Sequence, residues 1–446
     1  MEAKVISVTK PPKHHFFGFH DLPAWNNKGD KILSLEVEVI NRPPFPLELA
    51  GLGYVNQEGR FFRLGSTSAF NFPQGARSQW VGETNQFIVN NIRENKWACD
   101  VYDTITNKIV SSYPFACHNL NKNGDLAYSI NYARLFRLGA YGYPGIEDST
   151  RFDSLPGNDG IWVGDLNSSR KELLVSIKAV ADVPEKSASR SFGHHYLTHL
   201  LLNPSNKRLA FLHRYPLPDG GELTRLMTIG IDGNDIRCLA TGYLSHFDWK
   251  DDNTIFIFGR VNSNLESLRS NRLLALPYIS MFSKAGKKIV KALIKQQISA
   301  KTGFILVKDS GDNTYNKIAD GVLTEDGHPM FCPLNRDWII TDTYPDKDGI
   351  RNLMLYNFPM NKQIGLGHFK MITEKPDLSD SEKYFSGVDT KILKGIQEKN
   401  LAFTRSGLHC DLHPRWDMHG TKIAFDSIHE GSRQIYMIDI ETKKLL

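Results

Sequence analysis

The segment His413–Leu445 reads HPRWDMHGTKIAFDSIHEGSRQIYMIDIETKKL, and its pattern decides the fold. A polar turn precedes an apolar run from Thr421 to Ser427, and a second polar turn separates it from another apolar run, Gln434 to Ile440. Two short apolar runs joined by a tight polar turn predict an antiparallel β-hairpin.

The same phrase recurs along the chain, which is the sequence signature of a repeat architecture. Most copies open with a histidine; with the C-terminal copy there are seven, and the other six begin at His20, Gln79, His118, His199, His246 and His328. One small sheet cannot bury both of its faces alone, whereas sheets packed radially cover one another. We therefore predict an all-β fold, a seven-bladed β-propeller of four-stranded antiparallel blades, forming one domain over residues 1–446.

Insertions lengthen several repeats, at Phe136–Gly157, Val180–Phe192, Asn262–Thr302 and Thr373–Leu401. We expect the opening histidines to gather at one mouth of the central channel and some insertions to wall it. The insertion 264–302 is predicted to be helical, with a basic amphipathic stretch at Leu273–Gln297. This stretch fits peripheral contact with a membrane, and it equally fits a helix packed on the propeller flank with its lysines in solvent.

Composition narrows the functional class. The net charge of +5 over 446 residues gives no strong field for nucleic acid. Five scattered cysteines form no disulfide framework, and the N-terminal residues lack a secretory signal, so we expect a cytoplasmic protein, or an exported one if a leader was removed. The phosphate-loop, dinucleotide-fold, serine-hydrolase and zincin motifs are absent from the sequence.

The densest cluster of reactive side chains is SFGHHYLTHLLLNPSNKRLAFLHR, which contains His195, Tyr196, His199 and Arg214. An imidazole base, a phenol or second imidazole as acid, and an arginine that pairs with a carboxylate can together abstract a proton α to that carboxylate. This is the chemistry of uronate β-elimination. Each histidine taken alone could also be structural.

A second cluster, HCDLHPRW, suggests a metal site. His409, Asp411 and His413 share one face if the segment is extended, whereas Cys410 and His413 come together across a turn. With His246 and His328 from the two preceding repeats, Cys410 and His413 could chelate a divalent metal, zinc first, with manganese and calcium as alternatives. Buried polar residues bonded to neighbouring strands remain the other interpretation.

A third group combines arginines with aromatic residues. These are Arg77 and Gln79 in one segment and Arg134, Tyr141 and Tyr143 in another. Aromatic faces stack on sugars and guanidinium groups pair with carboxylates, so the group could bind an acidic saccharide. Surface ion pairs and core aromatics are the alternative.

Taken together, these segments resemble the seven-bladed propeller polysaccharide lyases, the oligogalacturonate and ulvan lyases. The resemblance rests on HHYLTHLLLNPSNKRLAFLHR, SHFDWKDDNTI, DGHPMFCPLNRDWIITDTYPD and CDLHPRWDMHGTKIAFDSIHEGSRQIYMID, with the opening HHFFGFHDLPAWNNKGDKIL and NYARLFRLGAYGYPG in support. It extends over nearly the whole chain apart from the insertions.

The resemblance implies β-elimination on an acidic, uronate-containing polysaccharide or oligosaccharide. It places His199 and Arg214, with His195 and Tyr196, in the catalytic site, and a metal at His246, His328, Cys410 and His413. A non-catalytic propeller that binds glycan or protein partners in a membrane-associated assembly complex is the alternative function.

Overall fold

The computed structural model describes residues 4–184, 193–217, 221–261, 302–312, 314–395 and 398–440. Strands dominate these residues, and they pair only with antiparallel neighbours. The predicted basic helix at Leu273–Gln297 and most of the insertion 264–302 lie outside the described residues.

The described strands number 27. Those of the first half of the chain are β1 (Val5–Ser7), β2 (His14–Phe16), β3 (Lys31–Val37), β4 (Ala50–Asn56), β5 (Phe61–Thr67), β6 (Gln79–Trp80), β7 (Gln86–Arg93), β8 (Lys96–Asp103), β9 (Lys108–Tyr113), β10 (Asn119–Leu120), β11 (Leu126–Ser129), β12 (Gly160–Asp165), β13 (Arg170–Ser176) and β14 (Tyr196–Leu202). Those of the second half are β15 (Arg208–Pro216), β16 (Glu222–Gly230), β17 (Arg237–Asp251), β18 (Thr254–Val261), β19 (Gly303–Lys308), β20 (Tyr315–Lys317), β21 (Met330–Phe331), β22 (Trp338–Asp342), β23 (Ile350–Asn357), β24 (Lys362–Lys370), β25 (Arg415–Trp416), β26 (Lys422–Ser427) and β27 (Gln434–Asp439).

Four sheets follow the chain in order, each with four strands: β2 to β5, β6 to β9, β10 to β13 and β21 to β24. A further sheet joins seven strands, β14 to β20, through the long strand β17. Residues 237–242 of β17 pair with β16, and residues 242–251 pair with β18. The outer strand of one blade thus continues directly into the inner strand of the next, so the six sheets contain the seven predicted blades.

The last blade is completed by the beginning of the chain. Its strand order is β1, β27, β26, β25, and β1 pairs with β27 in the register Val5 to Ile438. The sequence pattern predicted the hairpin of β26 and β27, and the structure confirms it, except that β26 begins one residue later and β27 ends one residue earlier than predicted.

A local turn explains why the phrases repeat. In four blades an Asn or Asp side chain accepts hydrogen bonds from the backbone N–H groups four and five residues later, and the residue three positions after it has a left-handed backbone. Gly or Asn tolerates that conformation, and the side-chain acceptor closes the turn. The residue pairs are Asn26 with Gly29, Asn121 with Gly124, Asn203 with Asn206, and Asp417 with Gly420.

Tryptophans tie neighbouring blades together. The indole Nε1 of Trp80 donates to Ala24 O at 3.0 Å, that of Trp249 to Leu201 O at 3.0 Å, and that of Trp416 to Met330 O at 3.1 Å. Each bond joins the first strand region of one blade to that of the blade before it. Apolar side chains pack in the same seams; one core cluster combines residues from β22 and β23 with residues from β26 and β27.

Within the described residues, five helices lie between strands: α1 (Tyr132–Arg137), α2 (Ile177–Asp182), α3 (Ser381–Tyr384), α4 (Thr390–Gly395) and α5 (Glu398–Arg405). They fall in or beside three of the predicted insertions. Among the helices that the structure describes, none is long and apolar enough to cross a lipid bilayer.

The chain divides into two compact units. The first comprises Met1–Ser149, Val163–Glu172 and Gly327–Leu446, and the second comprises Thr150–Trp162 and Leu173–Asp326. The candidate site residues fall into both units and are described unit by unit below.

Candidate functional site

In the first unit, His328, Asp411 and His413 form a group that could hold a metal ion. One ligand atom of each lies within 4.8 Å of the others, and all three residues are buried. The rings of His328 and His413 are 4.3 Å apart between centroids and meet edge to face. Metal–ligand bonds of about 2.0–2.2 Å would draw these atoms closer together.

Asp342, at the end of β22, positions both histidines. Its Oδ1 accepts a hydrogen bond from the His328 backbone N–H and lies 2.8 Å from His328 Nδ1. Its Oδ2 accepts from the backbone N–H groups of Leu412, at 3.1 Å, and His413, at 3.3 Å. A carboxylate on one imidazole nitrogen fixes the tautomer and directs the other nitrogen to a metal.

The backbone of His413 is in the left-handed region, with φ at +43°, which residues other than glycine adopt uncommonly. Its Nδ1 donates to Gly18 O at 2.8 Å, so Nε2 carries the lone pair, and Nε2 is buried without a hydrogen-bond partner among the described residues. Burial, with the neighbouring His328, lowers the pKa of His413 well below its ordinary value. A neutral imidazole is the form that binds a metal.

Two further residues, His20 and Arg351, lie beside the candidate metal ligands. His20 bonds through Nδ1 to Pro329 O at 2.9 Å, and its ring centroid lies 5.4 Å from that of His328. The Arg351 guanidinium lies 2.8 Å from Asp411 Oδ1. The sequence prediction did not include His20, although it opens its repeat as His328 does, nor did it include Arg351, which has no such signal.

The other two predicted metal ligands lie in different surroundings. Cys410 belongs to an apolar core cluster, and burial raises the pKa of its thiol to about 11, whereas a thiol must lose its proton to bind a metal. His246 belongs to the second unit, where its Nδ1 is 3.2 Å from Asp326 Oδ1.

The donor set fits a divalent cation. Two imidazoles and one carboxylate suit first-row metals such as Mn²⁺, Fe²⁺ and Zn²⁺, whereas Ca²⁺ prefers oxygen ligands only. The Nε2 of His413 supports this assignment, because it has no hydrogen-bond partner among the described residues, and a buried polar atom without a partner is costly unless a ligand satisfies it.

Replacing His413 with alanine is expected to weaken Mn²⁺ binding by about a hundredfold or more, because loss of an outer-shell partner alone costs about 10–100-fold. Isothermal titration of the metal-stripped protein with MnCl₂ and ZnCl₂ measures this. Cys410→Ser is the matched control and is expected to bind as the wild type does. An equal loss in Cys410→Ser would place the thiol in the site instead.

In the second unit, Tyr196 and Arg214 lie directly opposite each other on β14 and β15. Both contact Glu222: the Tyr196 hydroxyl donates to its Oε2 at 2.5 Å, and Arg214 Nη1 lies 3.6 Å from its Oε1. The Arg214 side chain is 23% exposed and that of Glu222 43%, so solvent reaches this cluster. Burial, followed by the Glu222 charge, raises the pKa of Tyr196 well above its ordinary value.

His199 lies at an irregularity in the same hairpin. The register of β14 and β15 shifts between Thr198 and Leu201, and His199 has a φ of +58°. Such a bulge redirects a side chain out of the regular alternation. The His199 ring centroid lies 6.3 Å from that of His246, whose partner is Asp326.

Tyr243, also in the second unit, is exposed to solvent. It is 54% exposed, and burial and the Asp326 charge raise its pKa, while Arg214 and Arg260 oppose that shift. Sequence reasoning missed Glu222, Tyr243 and Asp326, which lie outside the motif.

His195 has a different set of partners. It is fully buried, its Nδ1 is 2.9 Å from His213 Nε2, and its ring stacks on Tyr215 at 4.6 Å between centroids. These contacts suit a residue that supports the hairpin carrying Tyr196 and Arg214.

The predicted saccharide-binding residues are in the first unit, and four of them are buried. Arg77 binds both oxygens of Asp21, at 2.7 and 2.9 Å, and also the His118 carbonyl. Gln79 donates to the same carbonyl at 3.2 Å and accepts from Leu120 N at 2.8 Å.

The remaining three lie in or just after α1. Arg134 is 1% exposed, with Asp148 at 3.8 Å, and Tyr143 is fully buried and stacked on Tyr132 at 4.3 Å between centroids. Tyr141 lines a small cavity together with Arg405. Saccharide binding by this group stays a prediction; the contacts described for it are internal to the protein.

Comparisons with known proteins agree with this architecture at the level of fold. An oligogalacturonate lyase from Vibrio parahaemolyticus superimposes with a TM-score of 0.57 at 12% identity, covering 99% of this chain and 94% of that chain. The fold is that of a β-propeller. An oligogalacturonate lyase in complex with manganese (TM-score 0.40, 12% identity, 100% and 95% of the two chains) and the propeller domain of the Trilobed protease from Pyrococcus furiosus (0.40, 10%, 83% and 81%) are also similar.

No family profile and no curated protein sequence matches the chain. An identity of 12% shows a common fold and nothing finer. The predicted all-β propeller is thereby confirmed, and the resemblance to the propeller lyases holds as a relationship of fold.

Proposed function

We propose that this protein is a lyase that cleaves uronate-containing oligosaccharides by β-elimination. The observation that carries the proposal is that Arg214 and Tyr196 together contact a carboxylate, that of Glu222, at a solvent-accessible position. A guanidinium and a phenol arranged around one carboxylate form a recognition site that a uronate carboxylate can also use.

The reaction requires three tasks. A base removes the proton on the carbon α to the carboxylate, the electron pair forms a carbon–carbon double bond, and the bond to the β oxygen breaks as that oxygen gains a proton. Charge builds up on the carboxylate as the proton leaves, so a paired arginine stabilises the transition state.

The residues of the second unit can be assigned to these tasks. Arg214 pairs with the uronate carboxylate after Glu222 is displaced. Tyr196, whose pKa is raised well above its ordinary value, keeps its proton and can donate it to the leaving oxygen. His199, turned by the bulge toward His246, is the base.

The first unit would hold a divalent cation at His328, Asp411 and His413, with manganese, iron or zinc as candidates. A bound cation would supply a fixed positive charge, which stabilises the buried carboxylate and attracts anionic saccharides.

Ultraviolet absorbance of the unsaturated uronate product tests the proposal. Purified, manganese-loaded protein is incubated with oligogalacturonates and a panel of other acidic saccharides, beside the His199→Ala/Arg214→Ala variant. A rise that this variant abolishes supports the lyase, and His368→Ala, which replaces a histidine bonded only to Asn352 among the contacts described, is expected to match the wild type.

A non-catalytic, glycan-binding propeller is the second candidate function. It requires only that Arg214 and Tyr196 bind a saccharide carboxylate, as they already contact that of Glu222. Saccharide binding by calorimetry, with no absorbance rise on any substrate from folded protein, would support this alternative and overturn the lyase.

A further inference from the structure

A chain of hydrogen bonds joins the β14–β15 hairpin to helix α2 within the second unit. His195 Nδ1 lies 2.9 Å from His213 Nε2, and Arg225 Nη1 lies 3.4 Å from His213 Nδ1. The same guanidinium donates to two carbonyls at the C-terminal end of α2, from Nη1 to Val180 O at 3.1 Å and from Nη2 to Val183 O at 2.9 Å. His195, His213 and Arg225 are all fully buried.

The arginine fixes where the protons of both imidazoles lie. A guanidinium can only donate, so His213 Nδ1 accepts, and the single proton of neutral His213 lies on Nε2. That N–H donates to His195 Nδ1, so the proton of neutral His195 lies on its own Nε2. Both Nδ1 lone pairs are therefore already occupied, and the chain runs in one direction from Arg225 to His195.

An added proton has no place in this chain. On His213 the proton would lie on Nδ1 and face an Arg225 N–H, and on His195 it would lie on Nδ1 and face the His213 N–H. Either position breaks one hydrogen bond and adds a positive charge to an interior that already holds a guanidinium, where repulsion between charges is weakly screened. Burial, followed by the neighbouring His195 and Arg225, lowers the pKa of His213 well below its ordinary value.

No carboxylate of the described residues contacts His213 to offset such a charge. The polar contacts of its side chain are with His195 and Arg225, and its ring packs against that of Tyr215 at 5.2 Å between centroids. Arg214 follows His213 in β15, so the two side chains point to opposite faces of the sheet. The neutral form of the pair is thus the one that the surroundings favour.

The other elements that pack against the chain bring no acid to it either. From β17, Cys238 Sγ accepts a hydrogen bond from Arg225 Nε at 3.5 Å. The charged residues of α2, Lys178 and Asp182, form an ion pair with each other at 2.7 Å, and both side chains are more than half exposed. The contacts of α2 with Arg225 described above are through backbone carbonyls.

We propose that the His195–His213 pair is an acid-sensitive latch, in which a proton gained by either imidazole breaks the chain of hydrogen bonds and frees the end of α2 from Arg225. Repulsion from the new charge displaces the guanidinium, which is the group that holds both α2 carbonyls. The latch does not depend on the proposed lyase activity. It would act on the hairpin that carries Tyr196 and Arg214, because each of these is next in sequence to one histidine of the pair.

Hydrogen–deuterium exchange of the full-length protein tests the latch, measured by mass spectrometry at about pH 7.5 and about pH 5.5, on either side of the ordinary histidine pKa of about 6.5. After correction for the intrinsic effect of pH, peptides that cover α2 are expected to exchange at least about tenfold faster at the lower pH, because the open state binds at least one more proton. Residues 86–103, which form β7 and β8 and include no histidine, are expected to show no such change.

His213→Gln is the test variant, because an amide keeps a donor and an acceptor but gains no proton in this range. With that proton site removed, the effect of pH on α2 exchange is expected to fall below about threefold. His194→Gln is the matched control and is expected to keep the wild-type effect, since His194 is partly exposed and its Nδ1 lies 3.2 Å from Asp153 O.

Three results would each overturn the latch. They are α2 exchange that does not change with pH in the wild type, an equal acceleration in residues 86–103, which would indicate global unfolding, and an undiminished pH effect in a folded His213→Gln protein. The first two need only the wild-type protein, so they decide the question even where the variant fails to fold.

Discussion

Replacing Arg214 with alanine is expected to lower kcat/KM on an oligouronate by about 100- to 1,000-fold, the cost of removing one group that stabilises developing charge in a transition state. Arg214 lies opposite Tyr196 and is 23% exposed, so it can reach a substrate carboxylate. Initial rates of ultraviolet absorbance, with circular dichroism to verify folding, measure the effect.

Two variants make this result specific. Arg237→Ala removes an arginine of comparable exposure, 29%, whose contacts are with Asp235 and Asp309, and is expected to keep full activity. Glu222→Gln removes the competing carboxylate charge, so the substrate is expected to bind with a lower KM. Equal rates for Arg214→Ala and wild type would remove Arg214 from the mechanism.

Replacing Arg77 with methionine is expected to lower the free energy of unfolding by about 3–5 kcal/mol, the typical cost of leaving one partner of a buried ion pair alone. The Arg77 and Asp21 side chains are 0% and 5% exposed, and they share two hydrogen bonds. Methionine retains the volume but not the charge. Guanidinium chloride unfolding, followed by tryptophan fluorescence, gives the difference.

The double variant Arg77→Met/Asp21→Asn removes both charges and is expected to recover part of this loss. Arg63→Met is the surface control: the Arg63 side chain is 49% exposed and lies 3.4 Å from Glu36, so its loss is expected to cost about 1 kcal/mol or less. A change of that small size in Arg77→Met would mean that solvent compensates the Asp21 charge.

The repeats were predictable from sequence because each depends on local chemistry. The Asn or Asp that closes a turn and the Gly or Asn three positions later are visible in four of the seven copies, as at Asn26 and Asp417. The shared strand β17 and the pairing of β1 with β27 were not predicted. Both depend on contacts between distant segments, which no short pattern records.

Part of the group that could hold a metal was also predictable from the sequence. In an extended segment alternate residues share a face, and Cys410 and Leu412 indeed belong to apolar core clusters while Asp411 and His413 join the polar group. The sequence prediction named Cys410, and not Asp411, as a metal ligand because it assumed that the segment forms a turn and is not extended. The burial of Arg77 could not be predicted from the sequence, because its ion-pair partner, Asp21, lies 56 positions away in sequence.

The pairing of β1 with β27 also sets an order of events during synthesis. β1 is synthesised well before its partner β27, with which it pairs so that Ile438 lies opposite Val5. Until then the last blade lacks its outer strand and β1 has an unpaired edge, which is a hazard for aggregation. This blade therefore completes its hydrogen bonding only after β27 has been synthesised, and a nascent chain stalled before β27 should be a preferred client of chaperones that bind exposed strands.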